Sequence, residues 1–298
     1  MITPSFVDLH CHSTSSDGKF SVAELINQAE QANIGVLAVT DHDTTADMTD
    51  FRLQTPIALV QGSEISCLYQ DSYGSHVFHI LALGFDPHHP KIHDIFKKNN
   101  SLDDYRREKT EAILAKLLTF NIDLGNHDEL LAKYPGKKHL SRLHLAEEAV
   151  RRGYSANTAA FMNDWIGDYG KRLAYVDQLI PFVPIEEAVD AVLSAGGICS
   201  WAHPLSCRLG DAETEKMVAR LKGIAGNFGA LEAIYGPFNK QEREYVSELA
   251  SRYRLMVSAG SDYHGWNPNE SMGSYKFERS DIAPLLETLN IGGNDYAY

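Results

Sequence analysis

Short apolar runs alternate with amphipathic helical patterns over most of the chain. Helical spacing follows the capping-box pair Ser21 and Glu24, and it recurs in "PIEEAVDAVLSAG" and "NKQEREYVSELASRY". Seven runs between such segments read as buried strands: "FVDLHCH", "IGVLAVTDHDTT", "PIALVQGSEIS", "HVFHILALGFD", "GICSWAHP", "ALEAIY" and "RLMVSAGSDYHG". This alternation favours an α/β fold with parallel strands, and about seven strands indicate a barrel-like sheet.

The pattern changes between about Pro87 and Asp177, where only helical spacing is found. "YRREKTEAILAKLLTF" and "LSRLHLAEEAVRRGY" predict amphipathic helices. The second helix begins after Ser141 as N-cap and stops at Gly153. We therefore predict a helical insertion at residues 87–177 within a barrel formed by residues 1–86 and 178–298.

Composition narrows the class of protein. The 298 residues are 44% hydrophobic, enough for a large core, and the net charge of −13 disfavours binding to a long nucleic acid duplex. No run approaches ~18 apolar residues, and no signal peptide precedes the first strand, so we expect a cytoplasmic protein without a membrane span. Its four cysteines are expected as reduced thiols, with Cys11 on the core face of its strand.

Residues that commonly bind metals cluster at the ends of the predicted strands. Because strand ends of an α/β barrel meet at one mouth, distant residues would converge there. His10 and His12, like Asp262 and His264, are spaced to share one face of an extended strand. The other candidates at or near strand ends are Asp41, His42, Glu64, His79 and His203. Imidazoles and carboxylates together suit Zn, Mn or Fe, and a carboxylate can bridge two ions.

Each candidate also has a simpler explanation. An isolated His-x-His pair arises by chance, Glu64 could be an ordinary strand-end carboxylate, and Asp17 with Gly18 could form only a turn. Asp41 and Asp43 could hold His42 in one tautomer or be solvated loop acids. Chance explains the whole set much less well than it explains any single member.

Six segments in chain order resemble the motifs of the PHP (polymerase and histidinol phosphatase) metal-dependent phosphoesterases: "DLHCHSTSSDG", "TDHDT", "GSEIS", "HILALGFDP", "AHP" and "GSDYHG". The resemblance implies a distorted (β/α)7, TIM-like barrel with two to three divalent ions. It assigns His10, His12 and Asp262 to one ion. It assigns His79 and His203 to a second ion, with Glu64 bridging the pair, and Asp17, His42 and His264 to a third. We take Glu64, His203 and Asp262 as the catalytic members.

Within this family the chain is most similar to bacterial phosphatases of 3′,5′-bisphosphate nucleotides and to 5′-to-3′ exoribonucleases. The resemblance implies hydrolysis of a nucleotide or short RNA by a metal-activated hydroxide. A histidinol-phosphate-type phosphatase and a non-catalytic, metal-stabilised regulatory domain are the alternatives. We infer no protein partner.

The predicted insertion holds the candidate substrate contacts. Ser141, Arg142 and His144 lie at a helix start, where a helix N-terminus and an arginine together can bind an anion. Arg106, Arg107 and Lys109 form a second basic group. A solvated basic face is the alternative, and the resemblance favours phosphate binding by Arg142 and His144.

Overall fold

The computed structural model describes residues 6–48, 50–51, 54–71, 74–167, 170–177 and 179–291, so both ends of the predicted barrel extend beyond the described residues. The strands are β1 Phe6–Cys11, β2 Ile34–Val39, β3 Ala58–Asp71, β4 Gly74–Leu83, β5 Val183–Pro184, β6 Ile198–Trp201, β7 Gly229–Tyr235, β8 Met256–Gly260 and β9 Phe277–Glu278. The α-helices are α1 Val22–Gln31, α2 Pro90–Asn100, α3 Asp103–Leu118, α4 His127–Leu131, α5 Arg142–Arg151, α6 Thr158–Phe161, α7 Ile185–Ser194, α8 Asp211–Ala225, α9 Lys240–Tyr253 and α10 Ala283–Thr288.

Seven of these strands form a nearly closed barrel, as predicted. Hydrogen-bonded neighbours follow the order β8-β7-β6-β4-β3-β2-β1, with β9 beside β1 and β5 beside β3. The chain just after β8 closes the ring: the Asp262 amide donates to the His10 carbonyl at 2.8 Å, and the His12 amide donates to the Tyr263 carbonyl at 2.9 Å. The fold is thus an α/β barrel of the expected kind.

The expectation of parallel strands is wrong for β4. This strand runs antiparallel to both β3 and β6. β3 and β4 follow each other with a connection too short to hold the helix that a parallel crossover requires. The apolar pattern of β4 gave no indication of direction, since a strand buried on both faces reads alike either way.

Local sequence explains how β1 and its neighbours present side chains. Ser21 caps α1 and forms the predicted capping box with Glu24. His10 and His12 lie two residues apart and reach the same cluster of polar side chains, whereas Cys11 between them packs in an apolar cluster with Leu37 and Val39. Cys11 is fully buried, as predicted.

The chain divides into two compact units. One comprises Met1–Asn99, Val183–Gly265 and Glu270–Tyr298, and contains the barrel. The other comprises Asn100–Phe182 and Trp266–Asn269, and has its own apolar core around Leu117, Leu145 and Phe161. The division at residues 87 and 177 stays a prediction. Among the described residues, no helix is both long enough and apolar enough to cross a bilayer.

Candidate metal centre

The barrel unit brings all nine predicted metal-binding side chains into one cluster. β1 delivers His10 and leads into His12, and Asp262 and His264 follow β8. His42, just after β2, pairs through its backbone with Glu64 of β3 in an isolated parallel β-bridge. His203 follows β6. Because β4 runs in the opposite direction, His79 reaches the cluster from within the strand and not from its C-terminal end. The Ala202 amide, next to His203, donates to the His79 carbonyl.

The Glu64 carboxylate lies at the middle of the cluster and is almost fully buried. Its Oε1 lies 2.8 Å from His79 Nδ1 and 3.0 Å from His203 Nε2. Its Oε2 lies 3.2–3.3 Å from nitrogens of His10, His12 and His42. One carboxylate thus faces five imidazoles, which is the arrangement that a bridging ligand requires.

Asp262 and Asp17 extend the cluster on either side of His12. Asp262 Oδ1 lies 3.1 Å from His12 Nε2 and 3.4 Å from His10 Nε2. Asp17 Oδ1 lies 3.3 Å from His264 Nε2 and 3.9 Å from both His12 Nδ1 and His42 Nε2.

Three groups of possible ligand atoms result, each with its atoms within 4.8 Å of one another. They are His10, His12, Glu64 and Asp262; His42, Glu64 and His79; and His12, Asp17, His42 and His264. The first contains the predicted first set together with Glu64. The third contains the predicted third set and adds His12. In the second, His42 joins Glu64 and His79, whereas His203 reaches the same Glu64 oxygen as His79.

The polar atoms of this cluster fit metal ions. Within the described part of the chain, no hydrogen-bond partner satisfies Nε2 of His10, Nε2 of His12, Oε2 of Glu64 or Nδ1 of His79, although all four atoms are buried. Their contacts with one another lack hydrogen-bond geometry. Ligand atoms about 2.0–2.2 Å from a shared ion lie about 3.0–3.5 Å apart, which matches the separations between these side chains. Unsatisfied buried polar atoms are otherwise costly.

Three histidines have a tautomer that leaves a lone pair facing the cluster. Ser206 Oγ donates to the His203 carbonyl at 2.7 Å, so at 2.6 Å it accepts from His203 Nδ1. His264 Nδ1 donates to the Asp262 carbonyl at 2.8 Å, and His10 Nδ1 donates to Glu232 at 2.8 Å. In each ring Nε2 is left as the metal-binding atom.

The electrostatics of the cluster favour cations. Burial lowers the pKa of His12, but the carboxylates of Asp262 and Glu64 outweigh it and raise that pKa to about 10. Burial raises the pKa of Asp17, but His264 and His42 outweigh it and hold that pKa well below its ordinary value. For His42 burial dominates and lowers the pKa to about 3. Without metal, the carboxylates therefore draw protons onto some of the neighbouring imidazoles.

The backbone around the ligands is held in unusual conformations. Asp262 and His203 have φ values of +58° and +31°, in the left-handed region that non-glycine residues seldom adopt. A Cβ at Gly260 would lie 2.2 Å from the His10 Cβ, and one at Gly18 would lie 2.0 Å from the His12 carbonyl oxygen. Both glycines are required because the chain passes so close to the ligands.

Sequence reasoning gave Asp41 and Asp43 other roles. Asp41 is fully buried and accepts hydrogen bonds from the amides and hydroxyls of Ser13 and Ser16, at 2.5–3.1 Å. It fixes the loop between His12 and Asp17 and does not orient His42. Asp43 is also buried, and it accepts from the Ser66 amide and the Asn99 side chain. Neither is a solvated loop acid.

Glu232 and Tyr235 of β7 were not identified from sequence. Glu232 bonds to the His10 ring, and Tyr235 donates to Asp262 Oδ2 at 2.9 Å. An acid inside the apolar strand "GALEAIY" was the available signal, because a buried carboxylate needs a specific partner.

The predicted substrate-binding residues have varied surroundings within the insertion unit. Ser141 is the N-cap of α5, as predicted, and its amide donates to Nδ1 of the buried His144 at 2.9 Å. Arg142 donates to the Ile166 carbonyl and lies over the Tyr175 ring.

The second predicted basic group is bound up with neighbours in the same unit. Arg106 is buried, 3.8 Å from Asp103 and over the Phe182 ring. Arg107 forms ion pairs of 2.8 Å with Glu111 and Asp128. Lys109 lies over the Tyr175 ring. Within this group Arg106 and Arg107 thus face carboxylates, whereas Lys109 lies over the same ring as Arg142.

Comparisons with known proteins agree with this geometry. Residues 8–152 match the family model described as the PHP domain. The chain is 30% identical to a 5′-3′ exoribonuclease of Haemophilus influenzae, over 87% of the chain and 91% of that protein. It is 28% identical to a 3′,5′-nucleoside bisphosphate phosphatase of Chromobacterium violaceum, over 95% and 94% of the two chains. A solved structure of a proposed metal-dependent phosphoesterase from Bifidobacterium adolescentis superposes with a TM-score of 0.72, at 26% identity over 94% of this chain and 95% of that one.

Proposed function

The chain belongs to the PHP-domain family of metal-dependent phosphoesterases, and from this premise we propose that it hydrolyses nucleotides bearing two phosphates, or short RNA from its 5′ end. The observation that carries the proposal is the buried Glu64 carboxylate facing five imidazoles, several of whose buried ligand atoms have no hydrogen-bond partner in the described part of the chain. Two relatives support the substrate class, since one is named as a bisphosphate nucleotide phosphatase and the other as an exoribonuclease.

Two to three divalent ions would be held by the nine side chains, with Glu64 shared between two of the ions. When bound, such ions lower the pKa of a water molecule and neutralise charge on phosphate oxygens. Mn, Zn and Fe all suit imidazole and carboxylate ligands. The nine residues would be His10, His12, Asp17, His42, Glu64, His79, His203, Asp262 and His264.

The protein's own part in the reaction is positioning and charge. Tyr235 holds Asp262, and Ser206 holds His203 with its Nε2 lone pair towards Glu64. These bonds fix the ligand atoms before substrate arrives, so little reorganisation is needed during hydrolysis. A phosphate that is not cleaved needs a separate cation, and we assign Arg142 to it, with His144 as a neutral hydrogen-bonding neighbour.

A panel of substrates tests the proposal. Phosphate release is measured for adenosine 3′,5′-bisphosphate, a 5′-phosphorylated RNA pentamer, histidinol phosphate and p-nitrophenyl phosphate, each with Mn²⁺. We expect the highest kcat/KM for one of the first two. A clear preference for histidinol phosphate would replace the proposal with the alternative phosphatase, and no hydrolysis of any substrate would favour a regulatory domain.

A further inference from the structure

Glu232 makes two hydrogen bonds at the base of the candidate metal centre. The residue is completely buried on β7. Its Oε1 lies 2.8 Å from His10 Nδ1, and its Oε2 accepts from the His203 amide at 2.7 Å. His10 belongs to the predicted first ligand set and His203 to the second. One carboxylate therefore contacts ligands of two different ions.

The charge of Glu232 is not balanced by a lysine or arginine among the described residues. Its ion-pair partner is the His10 imidazole. The comparably buried Glu148 of the insertion unit differs, because Lys133, Arg151 and Arg152 all reach it within 2.7 Å. Burying a carboxylate without a balancing cation is unfavourable, because the charge loses its hydration. A positive charge on the far side of the His10 ring, at Nε2, would remove that cost.

The surroundings of Glu232 leave it little freedom. A Cβ at Gly260 would lie 2.6 Å from its Oε1 and 2.2 Å from the His10 Cβ, so β8 packs tightly against this pair. His203 is held with φ of +31°, and the bond from its amide to Glu232 opposes relaxation of that strained backbone. The carboxylate is thus fixed at both of its oxygens.

We propose that Glu232 is a positioning residue that sets the tautomer of His10 and the backbone of His203, and thereby couples two metal positions. The proposal rests on the proposed function, since it takes His10 and His203 as metal ligands. A carboxylate only accepts hydrogen bonds, so it requires the proton of His10 on Nδ1 and leaves Nε2 for the ion.

The Glu232→Gln variant tests the coupling. The glutamine amide has nearly the same shape as the carboxylate, but its single oxygen can accept from only one of the two donors, His10 Nδ1–H or the His203 amide. Its NH2 group would then face the other donor. We expect Mn²⁺ binding, measured by equilibrium dialysis, to weaken about 10- to 100-fold at two of the bound ions. Glu148→Gln is the matched control, because it removes an equally buried carboxylate outside the barrel unit, and its Mn²⁺ affinity should equal that of the wild type. Unchanged Mn²⁺ affinity in Glu232→Gln would overturn the proposal.

A second measurement needs no folded Glu232 variant. Nitrogen-15 NMR of the wild-type protein loaded with Zn²⁺ reports which His10 nitrogen carries the proton, with the His10 signals identified by their loss in His10→Gln. We expect the proton on Nδ1, and a proton on Nε2 would refute the proposed role even if Glu232→Gln does not fold. Neither measurement uses a substrate, so a wrong assignment of the reaction would leave both outcomes interpretable. Failure of the wild type to bind Mn²⁺ or Zn²⁺ would instead contradict the metal centre and, with it, the coupling.

Discussion

Each of the two compact units buries a glutamate, and the two glutamates are neutralised in different ways. Glu148 of the insertion unit is 2% exposed, and both of its carboxylate oxygens accept hydrogen bonds from three cationic side chains, Lys133, Arg151 and Arg152. Glu64 of the barrel unit is 1% exposed and faces five imidazoles, of which His10, His12 and His79 have a buried nitrogen without a hydrogen-bond partner among the described residues. The first is a finished structural network. The Glu64 network leaves buried polar atoms that bound cations would satisfy, which supports the proposed metal centre.

Removing Glu64 should have the largest effect. We expect Glu64→Ala to lose two of the bound ions and to lower kcat by at least about 1,000-fold, because a shared ligand supports both ions and their charge stabilisation is worth several kcal/mol. Elemental analysis of the purified variant, together with phosphate release, measures both effects. Full metal content with near-normal turnover would show that Glu64 is not the bridging residue.

Removing Arg142 should change the choice of substrate and leave the metals in place. We expect Arg142→Ala to reduce kcat/KM for adenosine 3′,5′-bisphosphate by about 1–3 kcal/mol of transition-state free energy, through loss of a charge-assisted hydrogen bond. Hydrolysis of p-nitrophenyl phosphate should change far less, since that substrate has no second phosphate. Arg107→Ala serves as the control, because Arg107 is already paired with Glu111 and Asp128. Equal losses on both substrates would give Arg142 a structural role.

Removing the charge of Glu148 should affect stability alone. Burial raises the pKa of Glu148, but its bonds to Arg151, Lys133 and Arg152 outweigh that effect and lower the pKa to about 2. The folded-state pKa lies below the unfolded value of about 4.3, so this stabilisation is present above pH ~5 and is lost as the pH falls towards 2. Because the cations are partly exposed, we expect Glu148→Gln to lose about 1–2 kcal/mol at pH 7.

Urea unfolding at a series of pH values measures this difference. The free energies of unfolding of the wild type and Glu148→Gln should converge below pH 3, while metal content and kcat at pH 7 stay equal. A constant difference across the whole range would mean that the charge of Glu148 is not what stabilises the unit.

The barrel unit was the more predictable of the two. Residues two apart on a strand share a face, and strand ends meet at a barrel mouth, so His10, His12 and Asp262 could be expected together before any coordinates. The direction of β4 could not be predicted, because an apolar run reads alike for a parallel and an antiparallel strand. Nor could Glu232 be identified from sequence. Its contacts are with His10 and His203, which lie 222 and 29 positions away along the chain.

In the insertion unit, local sequence predicted where a helix begins but not which groups the basic side chains contact. The N-cap of α5 was predictable, because Ser141 and the apolar spacing after it are local signals. The partners of Arg107 and Arg106 were not, since a basic residue on a helix can bind a phosphate, a carboxylate or an aromatic ring, and only the tertiary contacts distinguish these. The spacing of side chains along the chain thus predicted which polar residues lie together in the barrel unit, whereas the substrate contacts stay a prediction.

The most direct test of the central claim is a metal titration of chelator-stripped protein. Mn²⁺ is added stepwise while bound metal and phosphate release from adenosine 3′,5′-bisphosphate are followed in the same samples. We expect no release from the metal-free protein and a plateau of activity at two to three ions per chain. Phosphate release that survives metal removal, or that saturates with a single ion, would contradict a metal centre bridged by Glu64.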